Sequence, residues 1–71
     1  MQIEVDVFRS TDCESYDQAI GRAYAFSKEN LGITFYVIKG LTKYRVGDRN
    51  DTGEGEKVVC EYKNGIKTVK A

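Results

Sequence analysis

Asn64-Gly65 stands between two runs of alternating apolar and polar residues, and no other pair in the sequence constrains the fold as tightly. A type I′ turn needs positive φ at both central residues, which asparagine and glycine tolerate, and a two-residue loop of this kind joins neighbouring antiparallel strands. The register follows from the turn. Lys63 is expected opposite Ile66, Tyr62 opposite Lys67 and Cys60 opposite Val69. A lone hairpin is marginal in water, so the remaining sequence has to build a sheet around it.

The segment ITFYVIKG, Ile33 to Gly40, is almost continuously apolar and β-branched or aromatic, the pattern of a central strand covered for much of its length on both faces. Gly40-Leu41 then reads as a two-residue type II′ turn with glycine at its first central position. That turn places Val37 opposite Tyr44 and Phe35 opposite Val46 on one face. Ile38 falls opposite Lys43 and Tyr36 opposite Arg45 on the other.

Near the start of the sequence, Ile3, Val5 and Val7 alternate with Gln2, Glu4 and Asp6, which predicts a strand from Gln2 to about Arg9. Ser10 to Glu14 is expected to be a polar connection. Ser15, Tyr16, Asp17 and Gln18 spell the S-x-x-Q capping box, so a helix should begin at Ser15. Tyr16, Ala19, Ile20, Ala23 and Phe26 line one stripe of that helix as far as about Glu29, where Asn30 and Gly32 supply stop chemistry. The opposite stripe is Gln18, Gly21, Arg22, Ala25, Lys28 and Glu29. Its small pair, Gly21 and Ala25, leaves a flat spot on a charged surface.

Gly47 to Glu56 has no apolar residue and is expected to be a mobile surface loop. Asp48, Asn50, Thr52 and Gly53 imitate the start of a calcium-binding EF-hand loop, but the twelfth position, where a bidentate glutamate belongs, is Val59. No calcium site is expected.

The order is therefore β-α-β-β-β-β: an α+β fold with a mostly antiparallel sheet and one helix packed on one face. At 71 residues the whole chain, 1–71, reads as a single small domain with one core. The expected core is Ile3, Val5, Val7, Ile20, Ala23, Phe26, Phe35, Val37, Tyr44, Val46, Val58, Cys60, Tyr62 and Val69. One helix cannot cover both sides of five strands, so the second sheet face is expected to be open.

The residue types present exclude much chemistry. There is no histidine, which removes Ser-His-Asp and Cys-His nucleophilic sites and histidine general bases. Two cysteines cannot close a zinc tetrahedron, and neither GxxxxGK[ST] nor GxGxxG occurs. No catalytic residue, metal ligand or cofactor is expected, and the chain is read as non-enzymatic. Cys13 and Cys60 are expected to be reduced thiols, Cys60 in the core and Cys13 reactive in its polar stretch. MQIEVDVFRS lacks a basic start and an apolar run, so a cytoplasmic, non-membrane chain is expected.

Eleven basic and eleven acidic residues cancel, which argues against a broad phosphate-binding surface. Residues 1–30 nevertheless carry six acids against three bases, a net −3, and the remainder is +3. On the open face Phe8, Tyr36, Ile38, Val59 and Ile66 lie among Lys43, Arg45, Lys63, Lys70, Glu4 and Asp6. Aromatic, aliphatic and arginine anchors ringed by charge are ingredients of a protein interface, and Phe8, Tyr36, Ile38, Lys43, Arg45 and Ile66 form the expected partner-binding set. The expected function is protein binding by a small regulator or inhibitor of the kind phages and mobile elements encode. Single-stranded nucleic acid stacked on Phe8 and Tyr36 is the alternative partner. A structural homo-oligomer is the third reading, and the chain is expected to be a monomer or homodimer.

Overall fold

The structure, a computed structural model, describes residues 11–49 and 52–69. The element order is β1 (Thr11–Cys13), α1 (Tyr16–Glu29), β2 (Thr34–Lys39), β3 (Tyr44–Gly47), β4 (Lys57–Lys63) and β5 (Ile66–Val69). The strands form one antiparallel sheet in the order β1-β3-β2-β4-β5, with α1 packed on one face. This is the expected α+β architecture. The predicted strand from Gln2 to Arg9, with core positions Ile3, Val5 and Val7, lies outside the described residues. The expected polar connection at Ser10 to Glu14 is corrected in part: Thr11–Cys13 is an edge strand on β3.

The helix begins as its sequence dictates. Ser15 is the N-cap, and its hydroxyl accepts the Gln18 N–H at 3.1 Å. Gln18 Oε1 reaches back to the Glu14 N–H at 2.9 Å, one residue beyond the usual capping-box partner. At the other end Asn30 caps the Phe26 carbonyl through its own N–H, at 2.9 Å, and its side-chain amide, at 3.0 Å. The buried line on α1 is Ala19, Ala23 and Ser27, spaced by four residues. These small side chains let the helix approach the sheet closely, and the bulk comes from below: Phe35, Val37, Val46, Cys60 and Tyr62, with Cys13 from the edge. Ile20, Phe26 and Tyr44 are half-buried against that cluster. Tyr16 lies at its margin.

The two hairpins differ in how they match expectation. Around Asn64-Gly65 the pairs are Lys63 with Ile66, Tyr62 with Lys67 and Cys60 with Val69, as the turn requires, and φ is 55° at Asn64 and 81° at Gly65. In the other hairpin Val37 pairs with Val46, Ile38 with Arg45 and Lys39 with Tyr44. The Gly40 N–H donates to the Lys43 carbonyl at 2.8 Å, so the turn is Leu41-Thr42, one residue later than expected. A turn displaced by one residue moves every partner by two, and a shift of two keeps each side chain on its own face.

A β-bulge between β2 and β4 corrects two core assignments. Val37 pairs with Cys60 but Ile38 with Val58, which leaves Val59 as the extra residue. Val59, expected on the outer face, packs against the helix-side core, and Val58 is half-buried opposite Ile38. Val69 also departs from the core list: β5 is, among the described residues, an edge strand at the margin of α1, and the Val69 side chain is 68% exposed.

Candidate functional site

The six residues expected to form the partner surface separate in the structure. Phe8 lies outside the described residues. Ile38 has no exposed surface at all, so it is a core residue of the second face and cannot be touched by a partner. Its cross-strand neighbours Arg45 and Val58, and Tyr36 two positions along its own strand, are each half-buried. The centre of the face opposite α1 is thus closed, where an open sheet was expected. Lys43 is exposed beside the Leu41-Thr42 turn, not opposite Ile38, and Tyr36 faces Gly47, not Arg45. Ile66 keeps the expected accessibility at 68%.

Arg45 makes a bidentate fork on Glu56: Nε donates to Oε2 and Nη2 to Oε1, both at 2.9 Å. Glu56 Oε1 also accepts the Gly53 N–H at 2.7 Å, which folds the end of the β3–β4 connection back on itself. These donors hold the Glu56 carboxyl down to about 2, with the Arg45 fork the largest cause. Asp12, Lys43, Tyr44, Arg45 and Glu56 line a shallow polar recess of about 170 Å³ beside the Leu41-Thr42 turn. Its guanidinium and one of its two carboxylates already satisfy each other, and its volume is below that of a typical small-molecule site.

Both cysteines are buried thiols, which corrects the expectation of a reactive Cys13. Cys13 sits on β1 facing the helix, and burial raises its pKa against the opposing pull of Arg22. Burial raises the Cys60 thiol in the same direction.

What the sequence reading missed lies along the margin between α1 and β5. Alternation along β5 turns Lys67 and Val69 toward the helix side. Lys67 Nζ stands 5.7 Å from the Tyr16 ring centroid and 3.4 Å from its hydroxyl, which raises the Lys67 pKa. Lys28 Nζ stands 5.3 Å from the Tyr24 ring centroid and 3.4 Å from its hydroxyl. Each ring also meets a second tyrosine edge to face, Tyr16 with Tyr44 at 5.7 Å and Tyr24 with Tyr62 at 6.3 Å.

The hairpin end of this margin is fixed by hydrogen bonds. Buried Ser27 donates to the Tyr24 carbonyl and accepts the Gly65 N–H, both at 2.9 Å, and Asn64 Oδ1 accepts the Gly32 N–H at 2.8 Å. Tyr16 and Tyr24 were visible in sequence as helix residues. Their lysine partners come from one turn along α1 and from a strand fifty-one residues away, and only the second needs the fold.

Among the described residues, no helix is long and apolar enough to cross a membrane. Comparison with protein-family models, with curated proteins and with solved structures returns no match, so the functional reading rests on the residues themselves.

Proposed function

We propose that this chain is a non-enzymatic protein-binding domain of the cytoplasm, a small regulator or inhibitor that acts by occupying a surface on a larger macromolecule, as small proteins of phages and mobile elements do. One observation supports this reading above the others. The exposed side chains around β5, Tyr24 and Val69 on the helix side and Ile66 on the other, stand among lysines, whereas the polar recess near Arg45 is small and internally satisfied. A margin of this composition offers desolvation at its centre and charge at its rim.

The test is capture of partners by the tagged chain from cell extract, with and without nuclease, next to Ile66→Glu. Ile66 is exposed, so its replacement should leave stability within about 0.5 kcal/mol of the original. A protein that survives nuclease treatment and is lost with Ile66→Glu supports the reading. Capture abolished by nuclease would assign the surface to single-stranded nucleic acid, and scattering mass that doubles with concentration would assign it to self-association.

A further inference from the structure

We infer that β5 receives an extended, acidic segment of a partner protein as an added strand of the sheet. The inference rests on the protein-binding reading above and specifies its partner. Among the described residues β5 has a strand neighbour on one side only, β4, and all four of its residues are exposed. The two-residue turn makes Lys63 and Ile66 a hydrogen-bonded pair, and alternation along an antiparallel ladder then turns the N–H and C=O of Lys67 and Val69 away from β4. Backbone groups directed outward in this way are what a peptide pairs with when it extends a sheet.

The side chains flanking that edge sort an incoming strand by its two faces. On the helix side its residues would meet Lys67 and Val69; on the other side they would meet Ile66 and Thr68. Charge decides the chemistry. Beyond Glu61, which pairs with Thr68, the described part of the hairpin carries Lys63 and Lys67 and no acid, and α1 adds Lys28. An acidic strand finds Lys67 on the edge itself and Lys63 and Lys28 beside the turn, whereas a second copy of β5 would bring lysines against lysines. Single-stranded nucleic acid would need free ring faces for stacking, and here each ring already carries a lysine and a tyrosine.

The experiment records amide shifts of the isotope-labelled chain during titration with three probes: an octapeptide alternating glutamate with valine, its lysine counterpart, and an oligothymidylate. Saturable shifts centred on Lys67, Thr68 and Val69 with the glutamate peptide alone are expected. Val69→Pro removes one outward N–H without touching the β4 ladder and should abolish them. Lys28→Glu with Lys67→Glu, both at exposed positions, should weaken binding by about tenfold or more and keeps the test valid if the proline variant does not fold. Equal response to the lysine peptide, preference for the oligonucleotide, shifts centred elsewhere, or β5 shifts that track protein concentration alone would each overturn the inference. A protein partner captured equally by wild type and by the double variant would overturn it too, while leaving the protein-binding reading standing.

Discussion

The two hairpins of this sheet are built on different principles, and the contrast shows what a turn can and cannot specify. In β4–β5 the conformation of the turn is local: Asn64 and Gly65 both adopt positive φ, the loop has two residues, and every pair follows. In β2–β3 the glycine has another purpose. Gly40 does not adopt positive φ, and neither does Leu41 or Thr42. A Cβ at Gly40 would stand 3.1 Å from the Lys43 carbonyl oxygen, so glycine is there for close approach across the hairpin. Register in that hairpin is left to longer-range contacts. The face each residue occupies is the same in either register, because parity is set by the apolar alternation.

The strongest way to break this account is to attack the two faces of β2 separately. Phe35→Ala removes a fully buried ring from beneath α1 and should cost about 3 to 5 kcal/mol. Ile38→Ala, three residues on and on the opposite face, should cost about 2 to 5 kcal/mol, because Ile38 is equally closed to solvent. Urea unfolding of both variants measures this. An Ile38→Ala protein as stable as wild type would mean that the second face is open.

The local hairpin can be tested at its clasp. Ser27→Ala leaves the Gly65 N–H without its acceptor and should cost about 1 to 3 kcal/mol. Gly65→Ala forces an alanine into φ of +81° and places its Cβ 2.9 Å from Lys28 Cγ. The side chain can swing aside, so the backbone dominates, at about 1 to 2 kcal/mol. Gly40→Ala should cost less than Gly65→Ala, since it meets one carbonyl in a turn with no positive φ to defend. The opposite ranking would show that both hairpins are specified by their turns.

These residues also mark how far the sequence could be read. The helix from its Ser15 cap, the central strand and the Asn64-Gly65 hairpin were legible because each is determined by neighbours within four residues. Cys13, Val59 and Ile38 were misassigned because each depends on a distant strand: Cys13 on pairing with β3, Val59 on a bulge opposite β2, Ile38 on what closes the second face. Of the candidate surface, Ile66 was legible as an exposed edge residue. The lysines over Tyr16 and Tyr24 were not, since one of the two pairs exists only once α1 lies along β5.

Cysteine labelling follows from that correction: Cys13 and Cys60 should both resist a thiol reagent until the chain unfolds. Rapid labelling of Cys13 in the native state would detach β1 from the sheet and return Ser10 to Glu14 to a connection.

The smallest effect concerns what sets the register of the β2–β3 hairpin. Arg45, opposite Ile38, forks onto Glu56, the residue before β4, and Glu56 lines the same recess as Gly40, Leu41 and Thr42, so one carboxylate joins β3 to the start of the next strand beside the turn. In the folded chain this carboxyl titrates at about 2, below its ordinary value of 4.5. The unfolded chain therefore takes up the proton first as the pH falls. The stability that the fork contributes is complete above pH 4.5 and is lost progressively down to pH 2. Glu56→Gln removes that contribution, so the gap in unfolding midpoint between wild type and variant should narrow across this window and close at its acid end. A gap that stays constant from neutral pH to pH 2 would show that the ionised carboxylate contributes nothing to the fold. Hydrogen exchange supplies the second readout: if the fork holds the register, Glu56→Gln should speed exchange at Gly40 and leave Ile66 unchanged, because the Asn64-Gly65 turn is held by its own positive φ values and by Ser27, not by Glu56.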